Sequence, residues 1–96
     1  MRLSLHEITA IKAVVQEQDP QANVYLFGSR VDDAKKGGDI DLIVESTRIE
    51  FGEKLAVLAG IKRRIGDQKI DILITKDLAL DQRAFVRAVA LEAKKL

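Results

Sequence analysis

The chain has 96 residues, of which 47% are hydrophobic and 32% charged, and its 16 basic and 15 acidic side chains leave a net charge of +1. These values predict one globular domain spanning residues 1–96, and they argue against membrane binding and direct nucleic-acid binding, which favour a broad basic field. Because the chain has no cysteine, disulfide and thiolate chemistry are excluded. The opening segment lacks the apolar core of a signal peptide, and no apolar run approaches the roughly 18 residues of a membrane helix, so we expect a cytoplasmic protein.

Hydrophobic periodicity predicts three helices and three strands. In chain order, the predicted elements are a helix at 4–18, a strand at 22–27, a loop at 28–38 with one helical turn at 31–35, a strand at 39–45, a helix between Thr47 and Gly66, a strand at 69–75 and a helix at 78–95.

Local signals mark the ends of the predicted helices. The sequences Ser4-x-x-Glu7 and Thr47-x-x-Glu50 are capping boxes. Pro20 ends the first helix and Gly66 the second. In the last helix, Leu80, Ala84, Ala88 and Leu91 are expected to form an apolar stripe, with Phe85 and Val89 beside it.

The resulting order, α-β-β-α-β-α, predicts an α+β (mixed α/β) fold. The short loop between the first two strands favours an antiparallel pair, and the helix between the second and third strands favours a parallel crossover. We therefore expect a small mixed sheet with helices packed mainly on one face.

Two strands carry carboxylates in the same phase. Side chains alternate along a strand, so Asp39 and Asp41 share a face opposite the aliphatic residues of the second strand. Asp71 lies on the corresponding face of the third strand. If the two strands are neighbours, three carboxylates converge on one patch of the sheet.

Such a cluster is unfavourable without a cation, because like charges repel and burial disfavours ionisation. Hard divalent cations such as Mg²⁺ prefer carboxylate oxygens, and two of them could activate an attacking oxygen and stabilise a leaving phosphate oxygen. On its own, Asp39-x-Asp41 is equally typical of a half-exposed strand with polar residues outward. The matching phase of Asp71 favours a functional cluster.

Gly28 and Ser29 close the first strand. A glycine at this position permits a turn and a close approach of a ligand to the main chain. Ser29 offers a hydroxyl and a backbone N–H, and Arg30 offers a charge-assisted contact to phosphate. The spacing differs from that of a Walker A loop. The same residues also suit a plain strand-ending turn.

Taken together, "LFGSR", a nine-residue loop, "DIDLIV" and "KIDILI" resemble the minimal nucleotidyltransferases, the MNT group of the polymerase-β-like nucleotidyltransferase superfamily. The resemblance implies that Gly28 and Ser29 bind the β- and γ-phosphates of ATP. It implies that Asp39 and Asp41 are catalytic residues that bind two Mg²⁺ ions, and that Asp71 helps to bind the second ion and positions the attacking hydroxyl.

The resemblance also implies a partner. In this family the commonest arrangement is an antitoxin paired with a HEPN-domain ribonuclease toxin, to which it transfers AMP on a tyrosine. We therefore expect a hetero-oligomer with such a toxin. Two alternatives remain open: a non-catalytic antitoxin that neutralises the toxin by contact, and nucleotidyl transfer to a small molecule. The commonest family spacing has ten loop residues between Gly-Ser and Asp-x-Asp, whereas this chain has nine.

Overall fold

The computed structural model describes residues 1–32 and 38–96. The regular elements are α1 (Leu5–Gln18), β1 (Asn23–Phe27), a 3-10 turn (Gly28–Val31), β2 (Ile40–Glu45), α2 (Phe51–Ile65), β3 (Ile70–Thr75), α3 (Ala84–Ala90) and β4 (Lys94–Lys95). Among the described residues, no helix is long and apolar enough to cross a membrane.

The sheet has the strand order β3-β2-β1-β4. β1 and β2 are antiparallel, β2 and β3 are parallel, and β4 is antiparallel to β1. The predicted pairings of the first three strands are therefore confirmed, and so is the small α+β fold with a mixed sheet. β4 forms a fourth strand that the sequence analysis did not predict.

The main core lies between the sheet and the helices α1 and α2. Its fully buried members include Ile11 and Val15 of α1, Ile61 of α2, and Leu26 and Leu42 of the sheet. Each buried aliphatic side chain of this kind stabilises the fold by about 2 kcal/mol relative to its exposed state. The strand faces with alternating aliphatic residues are thus the ones under these helices, as predicted.

The two helices approach each other closely at Gly60. A Cβ added there would lie 2.8 Å from Val14 Cγ1, which is closer than carbon atoms pack. Gly60 therefore provides the space in which α1 and α2 meet.

α3 lies on the opposite face of the sheet. Its Phe85 contacts Phe27 of β1 edge to face, with ring centroids 6.3 Å apart. Ile43 of β2 and Val86 of α3 are also buried but belong to no part of the main cluster. These residues indicate a smaller apolar layer on the face that carries the candidate carboxylates.

The predicted last helix, 78–95, is too long at both ends. Its N-terminal part is a turn in which Asp81 accepts hydrogen bonds from the Thr75 hydroxyl (2.6 Å) and from the backbone N–H of Arg83 (3.0 Å). Its C-terminal part pairs with β1 as β4. Leu80 and Leu91, which were expected on an apolar stripe, are exposed.

The second capping box also differs from the prediction. Ser46 accepts hydrogen bonds from the backbone N–H groups of Arg48 and Ile49, so Thr47 is not the N-cap. Glu50 is the N-cap and forms the box with Glu53. The first box, Ser4 with Glu7, is confirmed.

The side chains of Leu5 in α1 and of Phe51 and Leu55 in α2 are exposed, although they continue the helical spacing of the buried apolar residues. A 3-10 turn spans Gly28–Val31, of which only Val31 belongs to the predicted helical turn at 31–35. Residues 33–35 of that prediction lie outside the described residues.

Candidate active site

The β2–β3 pair brings two of the predicted carboxylates side by side. Asp41 and Asp71 are Cα partners in the parallel register. Because directly opposed residues of neighbouring strands share a face, both side chains lie on the same side of the sheet. Asp39 is the residue before β2, so all three positions lie at the N-terminal ends of these strands. Asp71 is exposed, whereas Asp39 and Asp41 are half-buried.

Gly28 packs directly against the Asp41 side chain. Phe27 is the antiparallel partner of Asp41, so the turn that follows β1 meets the start of β2. Gly28 has φ +78°, in the left-handed region, and a Cβ added there would overlap the Asp41 carboxylate. A ligand was expected to approach the Gly28 main chain freely. On the side where a Cβ would stand, the Asp41 carboxylate occupies that space.

The environment of Asp41 disfavours its charged form. Burial raises the pKa of the Asp41 carboxyl, and the neighbouring carboxylates of Asp71 and Asp39 raise it further, while the Lys69 ammonium lowers it. The three acids are therefore close enough to interact electrostatically. This is the conflict that the sequence pattern predicted for the patch.

Lys69 is a site residue that the sequence analysis missed. Its Nζ lies 3.5 Å from Oδ2 of Asp39. The signal was present in the sequence, since Lys69 immediately precedes the third strand and shares the face of Asp71. Among residues 1–32 and 38–96, no group of three or more His, Cys, Asp or Glu side chains is close enough to hold a metal ion in the present conformation.

The donor chemistry nevertheless fits a hard divalent cation. Carboxylate oxygens are the preferred ligands of Mg²⁺, and Asp41 lies where added positive charge would favour its ionised form. Asp39, Asp41 and Asp71 are the residues that would hold it. In the present structure the Lys69 ammonium supplies the positive charge beside Asp39.

Ser29 and Arg30 form the turn beside this patch. The Arg30 guanidinium donates to the carbonyl oxygens of Arg2 (3.0 Å) and Gly38 (2.8 Å) and to Oε1 of Gln68 (3.1 Å). In this arrangement Arg30 joins the N-terminal segment, the end of the loop and the start of β3. Its predicted contact with phosphate stays a prediction.

A hydrogen-bond network that was not predicted from the sequence connects this turn to the N-terminal segment. Arg2 donates its backbone N–H to the Arg30 carbonyl (2.7 Å) and its Nη2 to the Ser29 carbonyl (3.2 Å). Gln68 Nε2 donates to Glu7 Oε2 (2.9 Å). Burial opposes ionisation of Glu7, but hydrogen bonds from Ser4 and Gln68 and the charge of Arg30 outweigh it and lower its pKa.

A pocket of about 480 Å³ lies at the other ends of the same strands. It is lined by Ser46, Ile49, Thr75, Leu80 and Arg83, among others. The strand rise places Thr75 about 13 Å from Asp71 along β3, so this pocket is separate from the carboxylate patch.

The α+β fold and the acidic patch beside a Gly-Ser turn are the arrangement that the resemblance to nucleotidyltransferases implies. A sequence model of the family described as "Polymerase beta, Nucleotidyltransferase" matches residues 9–93. The chain therefore belongs to this family. Comparison with curated proteins gives no significant match.

Proposed function

We propose that the protein is a cytoplasmic, Mg²⁺-dependent nucleotidyltransferase that transfers AMP from ATP to a tyrosine of a HEPN-domain ribonuclease toxin and thereby acts as its antitoxin. The observation that carries the transferase part is the position of Asp41. Its carboxylate packs against Gly28 on one side and faces Asp71 on the neighbouring strand. The turn proposed to bind phosphate and the acids proposed to bind metal thus lie next to each other in the sheet.

The reaction would be an in-line displacement at the α-phosphate. The tyrosine hydroxyl loses its proton to solvent and its oxygen forms a bond to the α-phosphorus, the bond from that phosphorus to the oxygen that bridges it to the β-phosphorus breaks, and pyrophosphate leaves. Bound divalent cations would supply neutralisation of the phosphate charge and activation of the attacking oxygen. Asp71 is the exposed member of the three acids, which suits its proposed role of positioning the acceptor hydroxyl.

The exposure of the site supports a protein as the acceptor. Asp71, which would position the acceptor hydroxyl, faces solvent. A partner protein would cover this face and bring its tyrosine to the carboxylates.

Label transfer tests this function. The protein is mixed with its toxin partner, Mg²⁺ and ATP labelled on the α-phosphate or, in a parallel reaction, on the γ-phosphate. We expect the toxin to take up α-label but not γ-label. The double variant Asp39→Asn, Asp41→Asn should lower the rate by more than about 100-fold, because removal of even one charge-stabilising group costs this much. Asp67→Asn, a fully exposed turn acid, is the matched control and should retain activity.

One observation favours the contact-only antitoxin as a second candidate. Asp39 is paired with Lys69, and the three acids do not form a compact metal site in the described residues. On this hypothesis the double variant neutralises the toxin in cells as well as the wild type at equal abundance. Neutralisation that is lost with the label transfer would eliminate the contact-only function.

A further inference from the structure

An exposed aromatic ring lies on the same face of the sheet as the carboxylates. Phe85 of α3 is 62% exposed, although its neighbour Val86 is fully buried. Phe85 packs against Phe27 in a T-shaped pair with an interplanar angle of 79°. A ring in such a pair meets its neighbour by one edge or one face, and at 62% exposure much of the Phe85 ring is accessible to a ligand.

The ring is close to the candidate active site. Phe27, on which it rests, is the cross-strand partner of Asp41 and immediately precedes Gly28. Opposed residues of antiparallel strands have Cβ atoms about 5 Å apart on the same face, so the Phe85 ring lies on the order of 10 Å from the Asp41 side chain. This separation is within the length of one extended nucleotide.

The ring is also held in place. Phe27 is buried, and Val86 anchors the same turn of α3 beneath the surface. A ring restrained by these neighbours offers a stacking surface at a reduced ordering cost for the side chain. Exposed aromatic side chains at nucleotide sites bind bases in this way, and they tolerate different bases because every base has a π-face.

We propose that Phe85 is the stacking platform for the base of the bound nucleotide. This inference rests on the proposed nucleotidyl transfer and adds a subsite to it. The ligand class is a planar heteroaromatic ring joined to a triphosphate. Because the larger ring system overlaps more of the phenyl face, purine nucleotides bind more tightly than pyrimidine nucleotides at this subsite.

The test compares a ligand with a base and a ligand without one. Binding of a non-hydrolysable ATP analogue and of inorganic tripolyphosphate, each with Mg²⁺, is measured by calorimetry. Phe85→Ala weakens binding of the analogue by about 10-fold, the usual loss of one stacked base, and leaves tripolyphosphate binding unchanged. Phe85→Tyr retains the affinity for the analogue. Phe51→Ala is the matched control, since Phe51 is 71% exposed but lies at the start of α2, by the opposite ends of the strands.

The outcomes separate this inference from the proposed function. A wild-type protein that binds neither ligand overturns nucleotidyl transfer and the platform together. A Phe85→Ala variant that binds the analogue as the wild type does overturns the platform alone. The same holds if the variant loses affinity for both ligands equally, since the ring then supports the fold. If the variant binds the analogue normally but no longer labels the toxin, the ring contacts the acceptor and the assignment to the base is wrong.

Discussion

The two ends of the β2–β3 pair hold aspartates in opposite environments. At the N-terminal end, burial and the carboxylates of Asp71 and Asp39 raise the pKa of Asp41. At the C-terminal end, Asp81 accepts hydrogen bonds from the Arg83 guanidinium (2.8 Å) and the Thr75 hydroxyl (2.6 Å), and its pKa falls well below its usual range. The N-terminal end of these strands therefore disfavours the charged carboxylate, and the C-terminal end favours it.

A further acid supports the contrast. Asp19 is buried beside the C-terminal end of β2 and accepts a 2.6 Å hydrogen bond from the Ser46 hydroxyl, which lowers its pKa. Satisfied acids of this kind stabilise the turns that contain them. An acid left in conflict destabilises the fold unless a ligand supplies the missing charge, so the difference between the two ends supports the proposed site at the N-terminal end.

Among the substitutions that test this difference between the two ends, Gly28→Ala is expected to have the largest effect on stability and activity. The substitution adds a Cβ that overlaps the Asp41 carboxylate and places alanine at φ +78°. We expect a loss of about 2 kcal/mol in the free energy of unfolding, together with loss of label transfer. Chemical denaturation measures the first and the transfer assay the second.

Gly66→Ala is the control for this variant. Gly66 has φ +94°, but a Cβ added there meets no atom within 4 Å. Gly66→Ala should therefore lower the free energy of unfolding only by the cost of a positive φ at alanine, and it should leave label transfer intact. Equal losses in the two variants would show that the contact between Gly28 and Asp41 contributes nothing.

Asp81→Asn should lower the melting temperature by several degrees at neutral pH. The lowered pKa of Asp81 means that its ionised form stabilises the fold at every pH above the ordinary value of 3.8. This contribution is lost as the pH falls through the folded-state pKa. Thermal melts of variant and wild type should thus differ at pH 7 and converge in strong acid. An unchanged melting temperature at neutral pH would contradict this account of the turn.

Asp41→Asn should change the stability in the opposite direction and raise the melting temperature at neutral pH. A raised folded-state pKa stabilises the protein below the ordinary value of 3.8, and this contribution is lost as the pH rises through the raised pKa. At neutral pH the variant removes a disfavoured charge, and we expect a gain of about 0.5–1 kcal/mol, as single stabilising substitutions give. The measurement is thermal unfolding between pH 3 and pH 7 without divalent cations.

Asp41→Asn also tests the prediction that the carboxylates bind Mg²⁺. A ligand that binds only the folded state raises its stability. Added Mg²⁺ should therefore raise the melting temperature of the wild type and have little effect on Asp41→Asn. A destabilised variant at neutral pH, with or without Mg²⁺, would show that Asp41 has a structural role.

Lys69→Gln should have the smallest effect. The pair with Asp39 is largely exposed, and such pairs contribute about 0–1 kcal/mol. Loss of the ammonium should raise the pKa of Asp41 further, because Lys69 is the cation that lowers it. The difference in stability should disappear at about 1 M salt, which screens exposed charges. A loss that persists at high salt would indicate a packing role instead.

The sequence predicted the central part of this molecule well. Alternation along 39–45 and 69–75 placed Asp41 and Asp71 on one face, and the helix between these strands implied the parallel register that makes them neighbours. Both inferences depend on local periodicity and on short connections, which a single sequence contains.

The parts that the sequence did not predict depend on contacts distant along the chain. Lys94 and Lys95 form a strand only because β1 offers an open edge, and Asp81 interrupts a helical pattern only because Thr75 and Arg83 surround it. In the site, the contact of Gly28 with Asp41 requires the β1–β2 register. Neither periodicity nor spacing contains this information.

The contact between Gly60 and Val14 has an evolutionary consequence. Because a methyl group at position 60 would collide with Val14, the sizes of the two side chains are coupled. Homologues with alanine at position 60 should have a smaller residue at position 14, and pairs that are large at both positions should be rare. Positions 14 and 60 are therefore expected to covary. An alignment of homologues would then show, without a structure, where α1 and α2 contact each other.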